Sequence, residues 1–172
     1  MHPRYKTRRY PNRLNCPKTM GQALIEFAIV LPVLLLLALG VIELGRYAYL
    51  NILVDSAARA GAAYGAQSHF TAGQPNNITA AADNDFQNNN QPISALTSVT
   101  STFVCECDNN GTMSAADCTQ TNGGCAAGNE VVSLQVTATG TFSPLFGGSL
   151  FGFSLLPTNF TVTKSAILRI GV

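Results

Sequence analysis

The sequence predicts an α+β protein: one long N-terminal transmembrane and stalk helix, then a small antiparallel β-sheet domain with a short helix. Three observations predict it. A charge-free apolar run spans Phe27 to Ile42. Three later segments alternate apolar and polar residues with a period of two, as half-buried antiparallel strands do. The charges are unevenly placed, with a basic head and a mildly acidic body.

The basic head comes first. Residues 1–18 hold Arg4, Lys6, Arg8, Arg9, Arg13 and Lys18 and no acid, whereas the remainder holds four bases against nine acids. A basic segment of this kind can be a solvated tail or bind nucleic acid. Its position directly before an apolar run favours topology instead. Positive residues beside a span stay on the cytoplasmic side, which sends the C-terminal part outside. Only 11% of residues are charged. Asn, Thr, Ser and Gln supply the polarity, which suits an extracytoplasmic body. These features divide the chain into a basic leader at 1–21, a transmembrane and stalk helix at 22–66, and an outer α+β domain at 67–172.

The apolar run, with Ala23, Leu24 and Ile25 in front of it, approaches the roughly 20 residues a helix needs to cross a bilayer. A buried core helix is disfavoured by the length and the basic flank. A secretory signal peptide is the nearer rival, but Glu26 interrupts the segment early and the helical pattern continues past it. Pro32 lies inside the span, where it removes one helix hydrogen bond and predicts a bend near Ala28–Pro32. Beyond the span, Glu43 and Arg46 are spaced three apart, and Asp55 and Arg59 four apart, so each pair can meet on a helix face. Ala57, Gly61 and Gly65 form a small-sided stripe at four-residue spacing. Such a stripe packs either under the protein's own outer domain or against a helix of another subunit. A helix from Gly21 to Gly65 would reach roughly 65 Å.

In the outer body, residues 67–92 read as loops around a short helix from Thr79 to Asn88, with Thr79 as N-cap. Strand-like alternation follows. Val99, Ser101, Phe103, Cys105 and Cys107 share one face of the first segment. Val132, Leu134, Val136 and Ala138 share one face of the second. Phe160, Val162, Ala166, Leu168 and Ile170 share one face of the third. This sheet is expected to pack on the small-sided end of the helix.

Between the first two strands lies a cysteine loop at 105–125, with Cys105, Cys107, Cys118 and Cys125. Four clustered cysteines outside a membrane read as two disulfides. A Cys105–Cys107 bond would close a very small ring, so each of these two is expected to pair with Cys118 or Cys125; both arrangements remain open. The spacing, with no histidine nearby, fits zinc poorly. Asp108-Asn109-Asn110-Gly111 has a misplaced glycine for a calcium loop and reads as a polar turn. Pro144 to Pro157 is apolar, uncharged and glycine-rich. It is expected to fold back on the sheet; exposed, it would be a contact patch for a partner or the membrane.

Enzyme chemistry finds little support. His2 and His69 are the only histidines, and no nucleophile–base or paired-carboxylate spacing stands out. No cofactor or metal and no nucleic acid partner is expected.

Several of these residues resemble one family. Gly21, Glu26-Phe27, the Leu31-Pro32-Val33-Leu34-Leu35-Leu36-Leu37 run, Glu43-Leu44-Gly45-Arg46-Tyr47 and Ala57-Ala58-Arg59-Ala60-Gly61 together are similar to the TadE-like proteins, pilin-like subunits of tight-adherence (Flp) pilus systems. The resemblance covers about residues 20–66. It implies that a prepilin peptidase cuts between Gly21 and Gln22, leaving Glu26 and Phe27 near the new N-terminus for assembly. It also implies a non-catalytic, single-pass protein of the cytoplasmic membrane with its N-terminus inside. Its partners would be the bilayer, other pilin-like subunits, the pilus machinery and the peptidase. The competing expectation is an anchored extracytoplasmic binding domain that never enters a filament.

Overall fold

The computed structural model describes residues 20–89, 95–119, 125–126, 128–145 and 159–171. The chain divides between Val41 and Ile42 into two compact units. Helix α1 runs from Met20 to Gly65 and passes through Pro32. Its residues up to Val41 form the first unit, and every side chain described there is exposed or, at Leu39, half-buried.

The second unit is α+β. After the end of α1 come a short helix α2 (His69–Ala72), helix α3 (Pro75–Asn88) and four strands: β1 (Leu96–Asn109), β2 (Thr112–Ala116), β3 (Asn129–Phe142) and β4 (Phe160–Arg169). The strands form one antiparallel sheet in the order β2-β1-β3-β4. The three alternating segments are therefore β1, β3 and β4.

Two elements differ from expectation. Helix α3 begins at Pro75 rather than at a Thr79 cap. Proline fits the first helical turn because its missing N–H would be unpaired there anyway. Strand β2 falls inside the cysteine loop, where its five residues, Thr112-Met113-Ser114-Ala115-Ala116, lack an apolar alternation to reveal it. The turn that creates it lies in the segment expected to be a polar turn. Asn110 and Gly111 both have positive φ (51° and 89°), the requirement of a two-residue type I′ hairpin. The Gly111 N–H donates to Asp108 Oδ1 at 2.8 Å and fastens the turn.

One face of the sheet carries the core. Leu50, Leu53, Val54, Ala57 and Ala58 of α1 cluster with Ala82 and Phe86 of α3 and with Leu96, Ala138, Phe142 and Val162 of the sheet. A second cluster joins Ala62, Ala72, Ile78, Leu134, Val136 and Ile170. Phe86, Ile78, Leu134, Val54 and Val136 are fully buried. At about 1.5–3 kcal/mol for each such side chain removed from water, these two clusters are the main source of the unit's stability.

The other face is rich in threonine. Thr139 and Thr163 share a hydrogen bond across β3 and β4 at 3.3 Å, as Thr97 and Thr141 do across β1 and β3 at 2.7 Å. Such pairs suit a sheet with one wet side. Lys164 breaks the apolar series of β4: it pairs in register with Ala138 and is half-buried on an edge strand. A charge at that position blunts an otherwise open sheet edge.

Candidate functional site

Three groups of residues stand out as candidates: the start of α1, its small-sided end, and the cysteine cluster.

At the start of α1, Gln22 and Glu26 lie one helical turn apart. Gln22 Nε2 donates to Glu26 Oε1 at 3.4 Å. A Cβ placed on Gly21 would meet nothing within 4 Å. Phe27 is 57% exposed, and Leu24, Ile25 and the leucines of the following run are exposed to similar degrees. Among the described residues, ion pairs form at Glu43–Arg46 (3.1 Å) and Asp55–Arg59 (2.9 Å), and neither involves Glu26. Among the described residues the segment is thus an exposed apolar surface with one carboxylate. Among the described residues, α1 alone is long and apolar enough to cross a membrane.

The small-sided end of α1 has a different setting. Ala57 is fully buried, and Gly61 and Gly65 are buried with it. A Cβ on Gly61 would come within 3.2 Å of Val136 Cγ1 and 3.3 Å of Ile78 Cγ2, and one on Gly65 would overlap Leu134 Cδ2. The glycines are there because β3 and α3 approach the helix backbone directly. Within this chain, the stripe packs under its own sheet.

The cysteines form two disulfides, Cys105–Cys118 and Cys107–Cys125, with Cα–Cα distances of 5.3 and 5.6 Å. Cys105 and Cys107 point to the same face of β1 and are buried. Strand β2 returns beside β1, placing Ala116 opposite Cys105, so that Cys118 arrives first and Cys125 later. The two bonds close loops of 13 and 18 residues in sequence separation. Each loop of that size restrains the unfolded chain by about 3 kcal/mol in the chain-entropy description. The cluster is a staple for the β1–β2 hairpin. No group of three or more His, Cys, Asp or Glu residues able to hold a metal is found among the described residues.

A fourth arrangement was missed in the sequence beyond its Glu43–Arg46 spacing. Glu43 Oε1 accepts the backbone N–H of Leu145 at 2.7 Å, while Glu43 Oε2 pairs with Arg46. The Arg46 guanidinium lies over the Phe142 ring at 5.4 Å, and Tyr47 meets the same ring edge-on at 5.6 Å. Glu43 and Leu145 are 102 residues apart in sequence, so no local pattern could join them. Of the apolar segment 144–157, only Pro144 and Leu145 are among the described residues; residues 1–19 of the leader, with Cys16, also lie outside them.

The uncovered apolar helix with its early carboxylate is the feature that can be compared with known proteins. Residues 21–63 match the family model for TadE-like protein. No curated protein and no solved structure matches the chain. The match covers α1 almost to its end, 43 of the chain's 172 residues, and stops before α2. The TadE-like match therefore describes the membrane-type helix α1.

Proposed function

We propose that this chain is a pilin-like, non-catalytic component of a tight-adherence pilus assembly system, anchored in the cytoplasmic membrane by α1 with its α+β body outside. The TadE-like match over residues 21–63, centred on an apolar helix whose described side chains up to Val41 are almost all exposed, carries the reading. In it, a prepilin peptidase cuts after Gly21. The new α-amino group of Gln22 then lies one turn from Glu26, on the face where their side chains already meet. A carboxylate at the mouth of a span is costly without a partner. The amine of the same or a neighbouring subunit supplies that partner, and in an assembly this pairing sets axial register.

N-terminal sequencing of the protein extracted from membranes tests this. The expected sequence begins Gln22-Ala23-Leu24. An intact N-terminus, or a cut beyond Ile42, would overturn the reading.

One observation favours a second reading, a tethered outer domain that never joins a filament. The Ala57–Gly61–Gly65 stripe is occupied by the chain's own sheet, which leaves that stripe unavailable for subunit contact. Replacing Glu26 with glutamine separates the two. The filament component loses assembly and surface attachment, and the tethered domain keeps its membrane location and fold.

A further inference from the structure

The cluster at Glu43 fixes part of the body at a particular depth. The charge-free run ends at Ile42, and Glu43 is the next residue. At 1.5 Å per helical residue, the stretch from Glu26 to Glu43 advances ~26 Å, short of the ~30 Å of bilayer hydrocarbon. If Glu26 lies at the inner headgroups, Glu43 lies at or just inside the outer boundary. A free carboxylate would be costly there. Both oxygens of Glu43 are engaged, one by Arg46 and one by the Leu145 N–H, and its side chain is only 18% exposed. The same bond brings the beginning of the β3–β4 connection to that level.

The surroundings have the composition of a membrane interface. Tyr47 and Tyr49 are 39% and 46% exposed, and the Arg46 side chain is 41% exposed. Tyrosines and long cationic side chains are the residues that anchor proteins at headgroup level. Leu44 and Ile52 on α1 are 69% and 65% exposed, and Leu145 is 64% exposed. The apolar surface of the helix therefore continues past Ile42.

We propose that Leu145, together with Tyr47 and Arg46, forms a lipid-contacting foot, so that the β3–β4 corner of the body rests in the outer leaflet. Glu43 is the latch that holds the corner down. This inference rests on the reading of α1 as a membrane span. The occupant is a lipid surface, because the corner is tied to the residue that directly follows the span.

Depth-dependent fluorescence quenching tests it. The full chain, with Cys16→Ser and its native disulfides kept, is labelled at a single introduced cysteine and reconstituted into vesicles of phosphatidylethanolamine and phosphatidylglycerol containing spin-labelled lipid. Three positions are compared: Leu35→Cys in the span, Leu145→Cys at the corner, and Met113→Cys. Met113 lies on β2 beside the hairpin at the opposite end of the sheet from Phe142. The expected result is deep quenching at position 35, severalfold stronger shallow quenching at 145 than at 113, and loss of that difference when Glu43→Ala is added. Quenching at 35 with equal, weak quenching at 145 and 113 overturns the foot and leaves the span intact. Absence of quenching at 35 overturns the span and the foot together. Intermolecular cross-linking at position 145 without lipid quenching also overturns the foot, in favour of contact with a second copy.

Discussion

Two stretches of α1 teach by contrast. Between Phe27 and Ile42 the helix is built of large apolar residues, and Leu34 to Leu37 are each more than half exposed. Between Leu50 and Gly65 the helix turns small-sided, and Leu53, Val54, Ala57, Ala58 and Ala62 are almost wholly buried. Among the described residues, the stretch with the larger apolar side chains is the exposed one. In a soluble helix the opposite holds, since large apolar side chains gain most from burial. The first stretch has the length and composition of a membrane-type helix. The second uses small residues to bring a sheet against the backbone.

The strongest way to break this contrast is to make one substitution in both stretches. Leu53→Ala, at a site 3% exposed, is expected to destabilise the α+β unit by about 2–5 kcal/mol. Leu35→Ala, at a site 55% exposed, is expected to leave that unfolding transition unchanged. Chemical denaturation of the detergent-solubilised protein, followed by near-ultraviolet circular dichroism, measures both. Equal effects would mean that the two stretches share one environment.

Next in size, Leu35→Arg is expected to cost about 3 kcal/mol of membrane insertion. Carbonate extraction of membranes would show a fall in the integral fraction, and the same substitution at exposed Ile167 would not cause it. Removing one staple with Cys107→Ser and Cys125→Ser is expected to cost about 3 kcal/mol. The loss should appear as a lower midpoint in the same denaturation experiment. The cost of Gly61→Ala is smaller, about 1 kcal/mol, because the new methyl group must displace Val136 and Ile78 side chains by a few tenths of an ångström. The smallest effect is expected for Asp55→Asn. Its pair with Arg59 is exposed at 37% and 73%, and such i,i+4 pairs contribute about 0.3–0.5 kcal/mol. The pair lines a groove with Ala63 and with Ser165 to Leu168 of β4, and a loss above that range would show that this groove does more than hold a surface ion pair.

Much of the fold was legible because its signals are local. The charge-free run fixes a long apolar helix without reference to anything distant. The alternation at Val132, Leu134, Val136 and Ala138 fixes which face of β3 is covered, since a strand's side chains alternate by geometry. Asp108 to Gly111 reads as a polar turn, but only the structure shows that it closes a hairpin, with Asn110 and Gly111 both at positive φ. The elements that escaped have weak local signals. Strand β2 is short and exposed along most of its length, and it is held by pairing with β1 and by the disulfides beside it. Helix α2 has four residues, and its Ser68–Thr71 capping box is its only mark.

The sequence by itself determined that this protein carries an apolar helix of membrane length, a half-wet sheet and four cysteines for two bonds. Tertiary structure alone decided that Cys105 takes Cys118 and Cys107 takes Cys125. It also decided that the small-residue stripe is filled by Leu134, Val136 and Ile78, and that Glu43 binds the N–H of Leu145. The physical reason is the reach of each signal. Periodicity and turn chemistry act over a few residues, whereas the partner of a glycine groove or a carboxylate is whichever distant group the strand register brings within contact.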